Sequence, residues 1–257
     1  MLTFRNTNIF FAALFSIALV SNALFHVPVY IYIIILFIYS LLLFYGSYFI
    51  QSGFYIKAIC SSTTNKKQIS FSFDDGPAGS YTPEILRVLK EHHIETTFFC
   101  IGNRIEGNEE ILKAINQEDH IIGNHSYSHH FWFDLFSSKK MLADMKMMSE
   151  KVKETIGLTP KLFRPPYGVT NPNLKKAIIN GNYITIGWSI RSMDTVIKDK
   201  SKLLKKIKKS INPGAIILFH DTSKTTLAIL PELIKYVKAE GFEIIRLDKM
   251  LNLQPYE

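Results

Sequence analysis

The chain has 257 residues and a formal net charge of +8, and its two cysteines, Cys60 and Cys100, exclude a disulfide framework and any zinc-knuckle spacing. Only one of its 30 Lys and Arg residues, Arg5, precedes Lys57, and all 22 Asp and Glu follow it. The charge therefore belongs to a C-terminal portion of roughly 200 residues, enough for one domain with a full core, and no internal repeat or low-complexity tract divides it.

Residues 9–25 and 27–50 are almost wholly apolar, and each approaches the roughly 20 residues a helix needs to cross a bilayer. His26 and Pro28 mark the turn between them. Residues 1–56 therefore read as a membrane anchor of two transmembrane helices, at about 9–25 and 29–50. The first run also has the features of a signal peptide, since Arg5 precedes it and Ser21-Asn22-Ala23 resembles a cleavage site. Either way the second run anchors the chain, with Tyr30, Tyr32, Tyr39, Tyr45 and Tyr48 as candidates for an aromatic belt. Two spans put the N-terminus and the C-terminal domain on one side. Arg5, Lys57, Lys66 and Lys67 make that side the cytoplasm by positive-inside reasoning.

A linker over residues 57–66 leads to a domain over 67–251, where short β-branched and aromatic runs alternate with helical patterns. Strands are predicted at 69–73, 96–101, 120–123, 161–164, 183–188, 215–219 and 242–246. The helix over 82–91 has Thr82 as N-cap, Pro83 at its first position and Glu84 in its first turn. Helical periodicity also covers 141–156 and 227–239. Seven βα steps fall short of the eight of a regular barrel, which predicts an α/β fold built as a distorted (β/α) barrel of about seven strands. The lysine-rich stretch 198–209, with Leu203, Leu204 and Ile207 as its apolar side, reads as a solvated helix face and not a nucleic-acid site. The basic domain suits a position near anionic lipid.

The polar residues that stand out follow the predicted strands: Asp74 and Asp75, His125, Arg164, Asp194 and His220. In an α/β barrel, residues at the strand ends gather on one face. Asp74-Asp75-Gly76-Pro77 ends a strand with two adjacent carboxylates, which require a cation. His125 and His129 are four apart, so on a helical turn both imidazoles would reach one metal, with Asp75 as a third ligand. Two His and one carboxylate leave coordination positions open, as in a catalytic site. In Arg164-Pro165-Pro166-Tyr167-Gly168 the prolines hold the backbone extended and keep Arg164 and the Tyr167 amide in place. His220 ends a buried strand, where it could protonate a leaving amine.

Phe73-Asp74-Asp75-Gly76-Pro77, His125-Ser126-Tyr127-Ser128-His129, Arg164-Pro165-Pro166-Tyr167-Gly168, Ser192-Met193-Asp194 and Leu218-Phe219-His220 occur in that order. The set resembles the motifs of the NodB-type polysaccharide deacetylases, carbohydrate esterase family 4, over about residues 65–251. The resemblance implies a hydrolase of non-peptide C–N bonds that removes N-acetyl groups from an amino sugar of a peptidoglycan- or chitin-like glycan. It implies one divalent metal, zinc or alternatively cobalt, nickel or iron, held by Asp75, His125 and His129. Asp74 matches the base, Arg164 the residue that orients it, and His220 the general acid, oriented by Asp194. The Tyr167 backbone N–H matches an oxyanion donor, and Leu218 lines the pocket for the acetyl methyl.

The fourth motif departs from the usual Asp-x-x-Asp-Trp: Arg191 stands at its first Asp and Thr195 at its Trp. That departure bears on sugar recognition. Competing readings are a deacylase of a lipid-linked sugar at the membrane surface and a non-catalytic glycan-binding relative. Neither His-Glu-x-x-His nor a P-loop is present, which sets aside peptidase and phosphatase readings. The expected partners are a glycan or glycolipid and the membrane, with no nucleic acid. The expected location is a bacterial inner or cytoplasmic membrane. A cell-envelope substrate argues for an outward-facing domain, against the positive-inside reading.

Overall fold

A computed structural model describes residues 2–257. Two long helices open the chain, α1 (Phe4–Phe25) and α2 (Val29–Tyr48). Their 22 and 20 residues correspond to about 33 and 30 Å at 1.5 Å per residue. His26, in the left-handed conformation, ends α1, and Pro28 precedes α2. The two helices pack along Phe11, Ala18 and Ile35. Polar crosslinks add to this: the Tyr39 hydroxyl donates to Asn8 Oδ1 at 2.9 Å and the Tyr32 hydroxyl to the Ala18 carbonyl at 3.0 Å. Their outer faces, including Ile9, Phe10, Ile33 and Phe37, are apolar and uncovered.

The strands are β1 (Gln68–Asp74), β2 (Thr97–Cys100), β3 (Ile121–Asn124), β4 (Leu162–Phe163), β5 (Ile184–Thr185), β6 (Ile190–Arg191), β7 (Ile216–His220) and β8 (Glu243–Ile244). The helices that alternate with them are α3 (Thr82–Glu91), α4 (Glu109–Gln117), α5 (Ser138–Ile156), α6 (Pro172–Asn180), α7 (Lys200–Ser210), α8 (Lys224–Ala239) and α9 (Leu247–Leu251). All strand pairs are parallel, in the order β5-β4-β3-β2-β1-β7-β6, with β8 against the start of β1. This is the distorted barrel expected, with one strand more. The run predicted as a single strand over 183–188 supplies only β5; the chain then turns and pairs again as β6 on the other edge.

Alternation along β7 explains the layering. Ile217 and Phe219 face the helices with Phe71, Phe73, Leu230 and Leu233, whereas Ile216 and Leu218 face the interior with Phe99, Ile186 and Trp188. Full burial of each such side chain contributes about 1.5–3 kcal/mol.

Residues 59–62, within the segment expected to be a linker, are bonded to the domain. The Ile59 N–H donates to the Thr185 carbonyl at 2.9 Å, Gly187 N–H to the Ile59 carbonyl at 2.9 Å, and Ser62 N–H to the Gly214 carbonyl at 2.8 Å. Upstream, Phe54, Tyr55 and Ile56 are buried in a cluster that includes Phe163 and Met141 and is flanked by Phe4 of α1 and Leu43 of α2. A Cβ on Gly46 would lie 2.1 Å from the Phe54 ring, so the last turns of α2 meet this segment backbone to ring.

Candidate active site

Register builds the site. Asp74 pairs with His220 on β7 and Phe99 on β2, and Asn124 pairs with Phe163, so the residues that follow β1, β3, β4 and β7 emerge on one rim. The β1 turn is tight: Asp75 has φ 79° and the Gly76–Pro77 bond is cis. The Asp75 carbonyl accepts from the Arg104 guanidinium. Beneath the turn lies Asp221, fully buried. Its Oδ2 accepts from the Thr82 hydroxyl at 2.7 Å, and Thr82 in turn accepts from the Ala78 N–H at 2.8 Å. Thr82 is thus not the N-cap expected from sequence: Tyr81 holds that position, and the Thr82 hydroxyl is occupied by a distant carboxyl. Burial, with the charge of Asp75 in support, pushes the Asp221 carboxyl up to about 7 against the pull of the Thr82 bond.

A Cβ on Gly76 would lie 1.9 Å from Asp221 Oδ2. Gly76→Ala is therefore expected to displace Asp221 and destabilise the fold by about 1–3 kcal/mol, the usual range for overpacking, read from urea unfolding. An unchanged midpoint would mean that the turn yields freely.

Three ligand atoms, one each from Asp75, His125 and His129, lie within 4.8 Å of one another. Both His Nε2 atoms are 3.6 Å from Asp75 Oδ1. His125 Nδ1 is 2.8 Å from the Arg164 carbonyl. A carbonyl only accepts, so Nδ1 carries a proton, and Nε2 is the atom turned to Asp75. Burial, then the neighbouring His125, lowers His129 to about 4 and keeps its imidazole neutral. Two imidazoles converging on a carboxylate form a donor set that fits a divalent cation.

The two histidines reach one point without a helix. Ser126 and His129 have φ 66° and 43°, and the segment is a loop. The Asp144 carboxylate braces it by accepting from Tyr127 N–H at 2.7 Å and Ser128 N–H at 3.3 Å. The four-residue spacing predicts the convergence, but the helical turn inferred from it is not present.

Asp74 is turned to a different partner. Its Oδ1 accepts from Arg164 Nη1 at 2.7 Å and its Oδ2 stands 3.8 Å from His125 Nε2. Arg164 is fully buried. It also donates to Ser72 Oγ at 2.9 Å, the Gly187 carbonyl at 2.9 Å and the Ile186 carbonyl at 3.3 Å, and its guanidinium lies 4.1 Å from the Phe99 ring centre. Each of the three guanidinium nitrogens therefore has a fixed acceptor.

On the far side His220 Nδ1 is 2.8 Å from Asp194 Oδ1, and the His220 N–H donates to Asp194 Oδ2 at 2.8 Å. Ser192 and Thr226 hydroxyls complete the Asp194 shell. Burial alone would lower His220, but the bond to Asp194 and its charge outweigh it and push the imidazole up to about 9. For Asp194 burial raises, and the bonds from His220 and Thr226 prevail, holding it below its ordinary value.

Tyr167 sits at the mouth, its ring 4.8 Å from that of His129. The expected extended backbone ends at Pro165; residues Pro166–Gly168 form one tight turn, with Tyr167 at φ 59°. Gly168 permits this because a Cβ there would lie 2.4 Å from Trp188. Leu218 is 2% exposed, in the interior cluster with Trp188. Arg191 lays its guanidinium 5.9 Å from the Trp188 ring. Sequence reasoning leaves Ser72, Ser192, Asp221 and Thr226 without a role. Asp221, adjacent to His220, and Ser192, in the motif of Asp194, carry a local signal.

Residues 61–185 match the family model for polysaccharide deacetylases. The chain is 30% identical over 202 residues to the peptidoglycan-N-acetylglucosamine deacetylase PgdA of Listeria monocytogenes, covering 79% of this chain and 42% of that protein. It is 32% identical over 197 residues to a peptidoglycan-N-acetylglucosamine deacetylase of Bacillus cereus, covering 73% of this chain and 90% of that one. Among solved structures, the Bc1960 peptidoglycan N-acetylglucosamine deacetylase superposes with a TM-score of 0.74 at 28% identity, over 78% of this chain and 95% of that one. The fold is that of the family 4 carbohydrate esterases. The chain belongs to the polysaccharide deacetylase family, the NodB-type group of carbohydrate esterase family 4.

Proposed function

We propose that the protein is a metal-dependent deacetylase of a peptidoglycan- or chitin-like glycan, held in a membrane by α1 and α2. The observation that carries the catalytic reading is the division of labour between adjacent carboxylates. Asp75 faces the imidazoles of His125 and His129, and Asp74 is held by Arg164 beside them. The membrane reading rests on the length and hydropathy of the two helices and on their uncovered apolar faces.

In this reading Asp75, His125 and His129 hold the cation, zinc being the proposed ion, which supplies Lewis acidity at the acetamide oxygen. Asp74 takes a proton from the attacking water, and Arg164 fixes the carboxylate that does so. The Tyr167 backbone N–H stabilises charge on the acetamide oxygen, and Leu218 lines the pocket for the methyl group. Protonated His220, oriented by Asp194, gives its proton to the sugar nitrogen as the C–N bond breaks, and acetate and a free amine leave.

The first test is acetate release from chitin oligomers and peptidoglycan fragments by the whole protein, before and after chelation. Release that chelator abolishes and added zinc restores is the expected result. Undiminished release after the metal is stripped would reject the reading.

The pH dependence follows from the His220–Asp194 pair. An imidazole raised from its ordinary 6.5 to about 9 stays a proton donor until pH rises through about 9. The rate should fall above that value. The pair's contribution to stability has the same upper limit: it is complete below 6.5 on the imidazole side and fades as pH passes about 9. Asp194→Asn should move the basic limb of the kcat profile downward by at least one pH unit, roughly. A limb that stays in place would assign it to another group.

A further inference from the structure

Directly after His129 and His130 the chain reads Phe131-Trp132-Phe133-Asp134-Leu135-Phe136. Phe133 is buried and Phe136 partly buried in the cluster that is flanked by Phe4 of α1 and Leu43 of α2. Phe131, Trp132 and Leu135 turn outward, 67%, 55% and 70% exposed. Three large apolar side chains on one short surface segment contribute nothing to the core and mark an interaction surface.

The neighbours indicate what covers it. The Gly46 and Ser47 carbonyls, in the last turn of α2, accept from the Thr170 hydroxyl at 3.1 Å and the Thr170 N–H at 3.0 Å. The adjacent Asn171 donates its side-chain amide to the Asp134 carbonyl at 2.6 Å. A short chain of hydrogen bonds therefore ties the end of α2 to the segment that carries Trp132 and Leu135. Exposed Tyr45, Tyr48 and Phe49 mark the same level on the hairpin, and aromatic side chains favour the head-group layer of a bilayer. The Lys140 ammonium, 3.6 Å from the Phe136 ring centre, adds a cation suited to anionic lipid.

We infer that Phe131, Trp132 and Leu135 insert into the bilayer interface, giving the domain a second membrane contact beside the hairpin. Phe131 lies 6.4 Å from the Tyr167 ring, so this contact brings the Tyr167 side of the site to the lipid boundary. The inference rests on the proposed membrane placement of α1 and α2.

The test uses the full chain in vesicles of phosphatidylethanolamine and phosphatidylglycerol, with Trp188→Phe leaving Trp132 as the sole indole. A carbonate wash reads the hairpin; quenching by phospholipids carrying a nitroxide near the head group, against aqueous acrylamide, reads the docking. The expected result is a wash-resistant protein in which the head-group nitroxide quenches Trp132 at least about twofold more than a nitroxide deep in the acyl chain. Wash resistance with Trp132 open to acrylamide and indifferent to nitroxide overturns the docking and leaves the hairpin standing. Shielding from both quenchers assigns the patch to a protein partner and overturns it equally, and release by carbonate removes its premise. Leu135→Cys carrying an environment-sensitive fluorophore gives the same reading if Trp188→Phe fails to fold.

Discussion

Asp74→Asn is expected to lower kcat for acetate release by about 10²–10⁴-fold, the range for loss of a positioned base, while zinc content stays the same. The substitution keeps the shape, and an amide oxygen at the Oδ1 position can still accept from Arg164 Nη1, now at 2.7 Å. What it loses is the ability to take a proton. The proposed cation would lie with Asp75, His125 and His129, none of which changes. Metal content measured beside kcat therefore separates loss of the base from loss of the site. Activity within about tenfold of the wild type would place the base elsewhere.

Arg164→Met is expected to cost about 3–5 kcal/mol of stability, as for other buried pairs that lose one partner, and to abolish activity. Asp74 is 3% exposed and would be left without its cation. The Gly187 and Ile186 carbonyls would lose donors as well. Arg164→Lys should recover only part of the loss, since one ammonium cannot span acceptors that a planar guanidinium meets together. Urea unfolding of the detergent-solubilised protein measures both variants. A Met variant within about 1 kcal/mol of the wild type would show that the ion pair contributes little.

Much of the rim was legible in the sequence because Asp74, Asp75, Arg164 and His220 sit where apolar runs stop. The run 69–73 anticipates β1, and Asp74 and Asp75 follow; the run 215–219 anticipates β7, and His220 ends it. Pairing of these strands in register then gathers the polar residues. What escaped depends on distant partners or on very short elements. β6 is two residues long and half of it is the exposed Arg191, so no alternation announces it. The His125 to His129 spacing suits a helix, but Asp144 from α5 holds the backbone in a loop. Thr82 has the right neighbours for a cap, and Asp221, far along the chain, takes its hydroxyl instead.

The bonding of residues 59–62 into the domain bears on how far the rim can move from the hairpin of α1 and α2. A free ten-residue leash would allow excursions of roughly 16–19 Å, from the scaling of a flexible chain. Here the Ile59 N–H is held by the Thr185 carbonyl and Ser62 N–H by the Gly214 carbonyl, while Phe54 packs against the bare backbone of Gly46. With α1 and α2 in a bilayer, the rim is carried at a fixed height and sweeps no volume of its own. In the proposed membrane-held deacetylase, glycan strands would have to pass through one thin stratum to be modified, its depth set by the dimensions of the folded domain.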